Sequence, residues 1–245
     1  MRNTSSSQRL HKERASWSNK SGLRAIYTDS YRRILSQCIT GNTVEVGSGS
    51  GNFKRFAPQL IATDIVEVPW IDVVADAVKL PFSEGAVSNL IGFDVLHHIE
   101  YPAQFLEEAG RVLRHGGRLV VCEPAITPLS RFFYKYFHSE PLDLKADPFG
   151  LGVHDPCREP FDANQAVPTL LFFREYKRFH KTFSNLRVKH LCLTSFFAYP
   201  LSGGFRQWSL LPTKITAPLL QLESFLSPLL GKYMAFRMLV VVERI

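Results

Sequence analysis

Hydrophobic positions in the first half of the chain alternate between short continuous runs and helical stripes. A stripe at helical spacing predicts an amphipathic helix over 25–39, and a clearer one predicts a helix over 101–114. The continuous runs are apolar and rich in β-branched residues, and they predict strands at 43–46, 59–65, 71–75, 86–93 and 119–123. Because strands alternate with helices, we expect an open, doubly wound α/β sheet.

The alternation ends after residue 124. From there the pattern predicts, in order, a helix over 126–138, a loop over 140–160, a helix over 162–180, a strand over 186–198, a loop over 199–204, a helix over 218–234 and a strand over 237–244. Pro228 should kink or split the last of these helices. Residues 1–22 are polar and basic without an apolar run, which predicts a flexible tail and excludes a signal peptide. Residues 23–245 are expected to form a single domain.

The amino-acid composition indicates a soluble globular protein. Hydrophobic residues make up 45% of the chain and charged residues 21%, as in soluble globular proteins, and the net charge of +7 is compatible with an anionic partner. The four cysteines lie far apart with no C-x-x-C pair, so we expect reduced thiols and no metal site. No segment approaches the ~18 uncharged apolar residues of a membrane-spanning helix, and the cytoplasm is the expected location.

A glycine-rich run follows the first predicted strand, as Gly47-Ser48-Gly49-Ser50-Gly51. Glycine permits a tight turn and lets a ligand approach the backbone closely, so such a run between strand and helix is typical of nucleotide-type sites. Asp64 lies near the end of the second predicted strand, 19 positions after Glu45. A carboxylate there can accept hydrogen bonds from two ribose hydroxyls.

Four motifs in chain order resemble the class I S-adenosylmethionine-dependent methyltransferases, in particular the methyltransferase type 11 group. They are the glycine motif at 45–51, the acid Asp64, the Asp-Ala and Leu-Pro-Phe of 76–82, and the segments 96–99 and 112–119. The resemblance covers about residues 43–124. It implies a Rossmann-like sheet of seven strands with the last strand antiparallel. Because the alternation ends after residue 124, we also expect residues 125–185 to be inserted after strand five as a helical cap over the substrate.

The resemblance also implies S-adenosylmethionine as cofactor. Glu45 would lie near its ammonium group, and Asp76 and the Ala77 amide would bond the adenine edge. The expected cofactor-binding residues are Glu45, Gly47, Ser48, Gly49, Asp64, Ile65, Asp76, Ala77 and Phe93.

Three residues are candidates for assisting deprotonation of the acceptor. His97 and His98 are suited to proton transfer because histidine titrates near neutral pH. Glu123, at the end of predicted strand five, is expected to point toward the same mouth. A purely structural role, in packing or in bonding at a helix start, stays open for the histidines, and a structural role stays open for Glu123 as well.

The acceptor has no motif of its own. An aromatic stripe within 126–138 and a basic cluster within 174–181 suggest a small-molecule, lipid-linked or glycan acceptor, with weak contact to a membrane surface. No RNA- or DNA-reading motif accompanies the basic cluster, which argues against nucleic acid. Two alternatives stay open. One is a nicotinamide-dependent Rossmann oxidoreductase, which prefers G-x-G-x-x-G to the G-x-G-x-G found here. The other is a non-catalytic binding protein with the methyltransferase fold.

Overall fold

The centre of the molecule is one mixed β-sheet. In the computed structural model, which describes residues 2–155 and 157–245, seven strands of the described chain form this sheet. Met1 and Pro156, which fall in the predicted tail and the predicted loop, lie outside the described residues. The strands are β1 (Thr43–Val46), β2 (Ile61–Asp64), β3 (Val73–Val74), β4 (Val87–Phe93), β5 (Leu113–Pro124), β6 (Leu186–Thr194) and β7 (Arg237–Arg244).

The strand order is β3-β2-β1-β4-β5-β7-β6. The first five strands pair in parallel, and β7 runs antiparallel to both β5 and β6, between which it lies. This arrangement confirms the predicted seven-stranded sheet with an antiparallel last strand. It also counts against the nicotinamide alternative, because the dinucleotide-binding fold continues in parallel with the order 3-2-1-4-5-6.

Helices cover both faces of the sheet. They are α1 (Arg2–Asn19), α2 (Ser21–Gln37), α3 (Asn52–Phe56), α4 (Pro102–Val112), α5 (Pro128–Phe137), α6 (Val167–Thr169), α7 (Tyr176–Thr182), α8 (Ala198–Ser202) and α9 (Thr213–Met234). A 3-10 turn at Leu96–His98 follows β4, and a π turn at Leu170–Arg174 joins α6 to α7.

The core is divided by the sheet into two layers. Successive side chains of a strand point to opposite faces, and β4 shows this at two neighbouring buried residues. Leu90 packs in the layer that holds Phe105 of α4, whereas Ile91 packs in the layer that holds Tyr31 of α2. The near-continuous apolar runs of the sequence are therefore explained by burial on both sides.

The described part of segment 1–22 is helical, which corrects the expectation of a flexible tail. Leu10 and Trp17, seven positions apart on α1, are buried against the rest of the molecule. Lys20, between α1 and α2, places Nζ within 2.6–3.0 Å of four backbone carbonyls in residues 202–208, which share its three N–H donors. Periodicity does not reveal α1 because so few of its residues are apolar.

Three predictions in the second half were also wrong in detail. The helix expected over 162–180 begins at Val167, because the Asn164 side chain accepts from the Ala166 backbone N–H and ties the preceding turn. Residues 199–204, expected as loop, include most of α8. Pro228 does not split the last helix in two: it lies within the continuous α9, on the exposed side, where water can reach the carbonyl that a proline leaves unpaired.

Candidate functional site

The carboxyl ends of β1, β2 and β4 open into a cavity of about 400 Å³. Open α/β sheets bind ligands at this edge. Of the candidate catalytic residues, His97 and His98 line the cavity and Glu123 does not. All the expected cofactor residues line it, namely Glu45, Gly47, Ser48, Gly49, Asp64, Ile65, Asp76, Ala77 and Phe93.

The loop after β1 depends on its glycines. Gly47 and Gly51 have φ angles of 64° and 67°, a left-handed conformation that favours glycine. A Cβ atom at Gly47 would lie 2.2 Å from a Val95 methyl, and one at Gly51 would lie 2.2 Å from the Trp70 ring. No larger residue fits at either position, so no side chain covers the backbone of the loop at these two glycines.

Glu45 is a buried carboxylate at the base of this loop, with 3% of its surface exposed. Its Oε2 atom has no hydrogen-bond partner among the described residues, and the same holds for Ser48 Oγ and Asn52 Oδ1 beside it. Burial raises the pKa of Glu45 to about 8. Unpaired buried acceptors of this kind are costly, and a cationic donor such as an ammonium group would satisfy them.

Asp64 joins β2 to the glycine loop. Its Oδ2 accepts from the Gly49 N–H at 2.7 Å, and its Oδ1 accepts from the Val66 N–H at 2.8 Å. Burial raises the pKa of Asp64, although these N–H groups act against that rise. Each carboxylate oxygen has a further lone pair, so Asp64 can accept from two ligand hydroxyls while it holds the loop.

Asp76 and Ala77 form a tight turn after β3. The Asp76 side chain accepts from the Val78 N–H at 3.0 Å, and the backbone carbonyl of Asp76 accepts from the Lys79 N–H at 3.0 Å. The carboxylate therefore shapes its own turn, a structural role that is common for aspartate. The turn still lines the cavity, where its backbone is within reach of a ligand.

His97 lies between two carboxylates. Its Nδ1 is 2.7 Å from Oε2 of Glu123, and its Nε2 is 3.6 Å from Oε2 of Glu140. Burial disfavours protonation of the imidazole, but the bonds to Glu123 and Glu140 outweigh burial and raise the pKa of His97 to about 10. His97 is therefore a buried cation at neutral pH, and it has no lone pair with which to act as a general base.

The structure corrects the expected orientation of Glu123. The side chain is 0% exposed, and its Oε1 accepts from the backbone N–H groups of Val95 and Leu96 at 2.9 and 2.8 Å. Both carboxylate oxygens are thus engaged in holding the turn after β4 and the ring of His97. Glu123 positions these groups and does not face the cavity mouth.

His98 differs from its neighbour in charge. Burial and the positive charge of His97 lower the pKa of His98 to about 4, so its imidazole is neutral at pH 7. Its Nδ1 lies 3.3 Å from the Asp162 carbonyl, and when Nδ1 donates there, Nε2 is left as an acceptor. The ligand atoms of His97, His98 and Glu140 lie within 4.8 Å of one another, and a metal cation could bind His97 there only by displacing its proton.

An ion pair that was not predicted from the sequence lies in the same cavity. Arg237 of β7 donates to both carboxylate oxygens of Asp94 at 2.6 and 2.7 Å, and its guanidinium stacks 4.3 Å from the Tyr199 ring centre. Asp94 has a φ angle of 56°, uncommon for a residue other than glycine and frequent at functional sites. The available sequence signal was an Arg directly before the apolar run 238–242 of the final strand.

Helix α1 forms another unpredicted wall. Arg14 donates from Nη1 to the Ser50 carbonyl at 2.7 Å and packs 4.5 Å from the Trp70 ring, while Trp70 donates to the Gly49 carbonyl at 2.8 Å. Leu10 contacts the same loop, and Arg9, Leu10 and Glu13 line the cavity. The glycine loop is therefore covered by α1.

Helix α5 and the loop after it form the opposite wall. Helix α5 is capped by Thr127, whose side chain accepts from the Ser130 N–H in a capping box, and it begins at Pro128. Tyr134, His138 and Glu140 line the cavity, as do residues 158–161. This part of the predicted cap segment thus reaches the cavity, and its role as a lid stays a prediction.

Comparison with known proteins agrees with this geometry. Residues 44–121 match the family model of the methyltransferase domain, type 11. A probable S-adenosylmethionine-dependent methyltransferase of Mycobacterium tuberculosis is 31% identical over 108 residues, which cover 38% of this chain and 39% of that protein. The chain thus spans about two fifths of the length of that curated relative.

Solved structures share the fold over most of the chain. An S-adenosylmethionine-dependent methyltransferase from Archaeoglobus fulgidus aligns with a TM-score of 0.52 at 14% identity, covering 91% of this chain and 94% of that one. Geranyl diphosphate C-methyltransferase from Streptomyces coelicolor aligns with a TM-score of 0.50 at 14% identity, covering 91% and 80%. At this identity the likeness establishes the fold.

Proposed function

We propose that the chain, which carries a class I S-adenosylmethionine-dependent methyltransferase domain of the type 11 group, transfers a methyl group from S-adenosylmethionine to a small-molecule acceptor in the cavity. The observation that carries this proposal is Glu45, a buried carboxylate with an unpartnered oxygen under a glycine loop. An ammonium group is the ligand that such a carboxylate favours. The other expected cofactor residues line the same cavity, which supports the same ligand.

In this proposal the strand ends hold the cofactor. Glu45 binds its ammonium group, and Asp64 accepts from its ribose hydroxyls. Asp76 and Ala77 face the adenine edge. When bound, S-adenosylmethionine supplies a methyl group already activated by a positively charged sulfur. The remaining tasks of the protein are to align the acceptor with that methyl group and to exclude water.

The acceptor proton passes to His98 in this proposal. His98 is neutral at pH 7 and lines the cavity, whereas His97 is held protonated between Glu123 and Glu140. A pKa near 4 makes His98 a weak base. We therefore infer a nucleophile that ionises readily, in preference to an aliphatic alcohol or amine.

The side chains that line the cavity favour one of the acceptor classes expected from the sequence. Tyr27, Tyr199 and Phe205 line it together with Phe93, and this aromatic surface suits an apolar molecule. Of the lipid-linked and glycan acceptors expected from the sequence, we therefore favour the lipid-linked one.

Calorimetry with S-adenosylmethionine and, in parallel, with NAD tests the cofactor. We expect binding of S-adenosylmethionine alone, and no binding at millimolar concentration would contradict the proposal. Asp64→Ala should weaken binding about 10- to 100-fold, since a hydrogen bond to a charged group contributes about 1.5–3 kcal/mol. Asp29→Ala, on α2 and away from the cavity, is the matched control. Unchanged affinity in Asp64→Ala would remove the ribose assignment.

Transfer of a labelled methyl group into a cell extract tests the acceptor class. We expect label in an apolar small molecule that partitions into organic solvent. Label recovered in a water-soluble glycan would contradict the lipid-linked acceptor while leaving methyl transfer in place.

A further inference from the structure

The outward side of α5 and α9 carries an unusual number of exposed large apolar side chains. The two helices are in contact, and the eight side chains are between 51% and 81% exposed. We name this surface the α5–α9 face and define it by Phe132, Tyr136, Phe137, Ile215, Leu222, Phe225, Leu229 and Tyr233. An exposed apolar surface of this kind marks a site of interaction.

The exposed charges on α5 and α9 have one sign. Helix α5 contains no acidic residue, and the single acid of α9, Glu223, is 4% exposed and accepts from two backbone N–H groups at the start of α8. Lys214 and Lys232 are about five helical turns apart and so share one edge of α9. The exposed basic residues on the two helices are Arg131, Lys135, Lys214 and Lys232.

The face adjoins the acceptor side of the cavity. On the inner side of α5, Tyr134 and His138 line the cavity, and the Tyr134 hydroxyl donates to the Phe236 carbonyl at 3.0 Å. Tyr199 and Phe205, between β6 and α9, line it as well. Helix α5 therefore separates the cavity from the exposed aromatic surface by the width of one helix.

We propose that the α5–α9 face docks on the surface of an anionic lipid bilayer, with both helices lying along the interface beside the acceptor cavity. In the described chain no helix is both long and apolar enough to cross a bilayer. An amphipathic helix with a basic edge binds such a surface by burying its apolar side chains and pairing its cations with anionic lipids. The inference that the acceptor comes from the bilayer rests on the proposed function. The docking of the face on the bilayer does not depend on that function.

A second copy of the chain is the competing occupant of this face. A two-fold interface places the same patch on both partners. Two such faces would bring together the four basic residues of each copy, without an exposed acid on α5 or α9 to compensate. Charge complementarity therefore favours anionic lipid over self-association.

Co-sedimentation of the full chain with vesicles tests the proposal. We expect binding to vesicles of equal parts phosphatidylglycerol and phosphatidylcholine, and much weaker binding to pure phosphatidylcholine. The double variant Lys135→Gln/Lys232→Gln should lower the partition coefficient about 30-fold. This fold-change corresponds to a loss of about 1 kcal/mol of binding free energy for each of the two basic residues. Lys177→Gln/Lys181→Gln removes two exposed lysines of α7 and is the matched control. Phe225→Ser/Leu229→Ser should also abolish binding.

Three results would overturn the proposal. One is wild-type protein that stays in the supernatant with anionic vesicles. Another is an equal loss of binding in the α7 control, which would assign the attraction to net charge or to the basic cluster of residues 174–181 and not to this face. The third is a dimer, seen by analytical ultracentrifugation, that Phe225→Ser/Leu229→Ser converts to a monomer. Calorimetry with S-adenosylmethionine, run on the same variants, tests the proposed function separately.

Discussion

Glu123→Gln tests whether the carboxylate behind the turn after β4 holds His97 as a cation. Glutamine keeps one oxygen for the N–H groups of Val95 and Leu96 but removes the negative charge beside Nδ1 of His97. Removing one partner of a buried ion pair costs about 3–5 kcal/mol. Glu140 still faces His97 from the other side at 3.6 Å, so we expect the lower end, about 3 kcal/mol.

For a chain of this length, about 3 kcal/mol corresponds to a decrease in Tm of about 6–12 °C. The pH dependence adds a second measure. Because the folded-state pKa of His97 is raised from 6.5 to about 10, its stabilisation is complete below pH 6.5 and is lost as pH rises through 10. Without the Glu123 charge the folded-state pKa of His97 falls. The variant should therefore lose less stability than the wild type between pH 6.5 and pH 10.

Thermal unfolding at about pH 6 and about pH 9 measures both effects. Glu107→Gln, an exposed residue of α4, is the control and should leave Tm within about 2 °C of wild type. A Glu123→Gln protein with unchanged Tm and the wild-type dependence on pH would show that His97 is not held as a cation, and the reasoning about its charge would fail.

Three further predictions concern the cavity. Gly51→Ala should abolish cofactor binding in calorimetry, because its Cβ atom would lie 2.2 Å from the Trp70 ring. The control Gly116→Ala, which also has a positive φ but has open space around it, should bind the cofactor normally. Affinity for S-adenosylmethionine should fall up to about tenfold per pH unit below pH 8, where Glu45 takes up a proton, and a flat profile in wild type would refute this. Glu45→Gln should remove that slope. Asp94→Asn should cost about 3–5 kcal/mol in chemical unfolding, because it leaves Arg237 buried without its anion, and a loss below about 1 kcal/mol would contradict a buried pair.

The sheet and the glycine-loop side of the cavity could be predicted because their signals are local. The strand β1 and its glycines are contiguous, and Asp64 follows β2 at a recognisable distance. These positions meet because parallel strands place their carboxyl ends at one edge of the sheet. No long-range information was needed to bring them together.

Other features depend on partners that are distant along the chain. Asp94 and Arg237 are 143 positions apart, so neither residue alone indicates the pair. Helix α1 buries Leu10 and Trp17 but has too few apolar residues for its period to be detected. The orientation of Glu123 was accessible in principle, because the period of two in β5 places it on the same face as Leu119 and Val121, which pack toward α4.

Two parts of the cavity wall, α1 and Arg237 of β7, lie near the two ends of the described chain, and this affects how the site assembles during folding. Ser16 of α1 bonds the Phe205 carbonyl across 189 positions, and β7 brings Arg237 to Asp94 across 143. Contacts of such high sequence separation form late, since loop closure must precede them. During synthesis, the strands β1 to β5 are complete well before β7 is available. Cofactor binding would then favour the final docking of α1 and β7, and ligand would protect the chain most at its two ends.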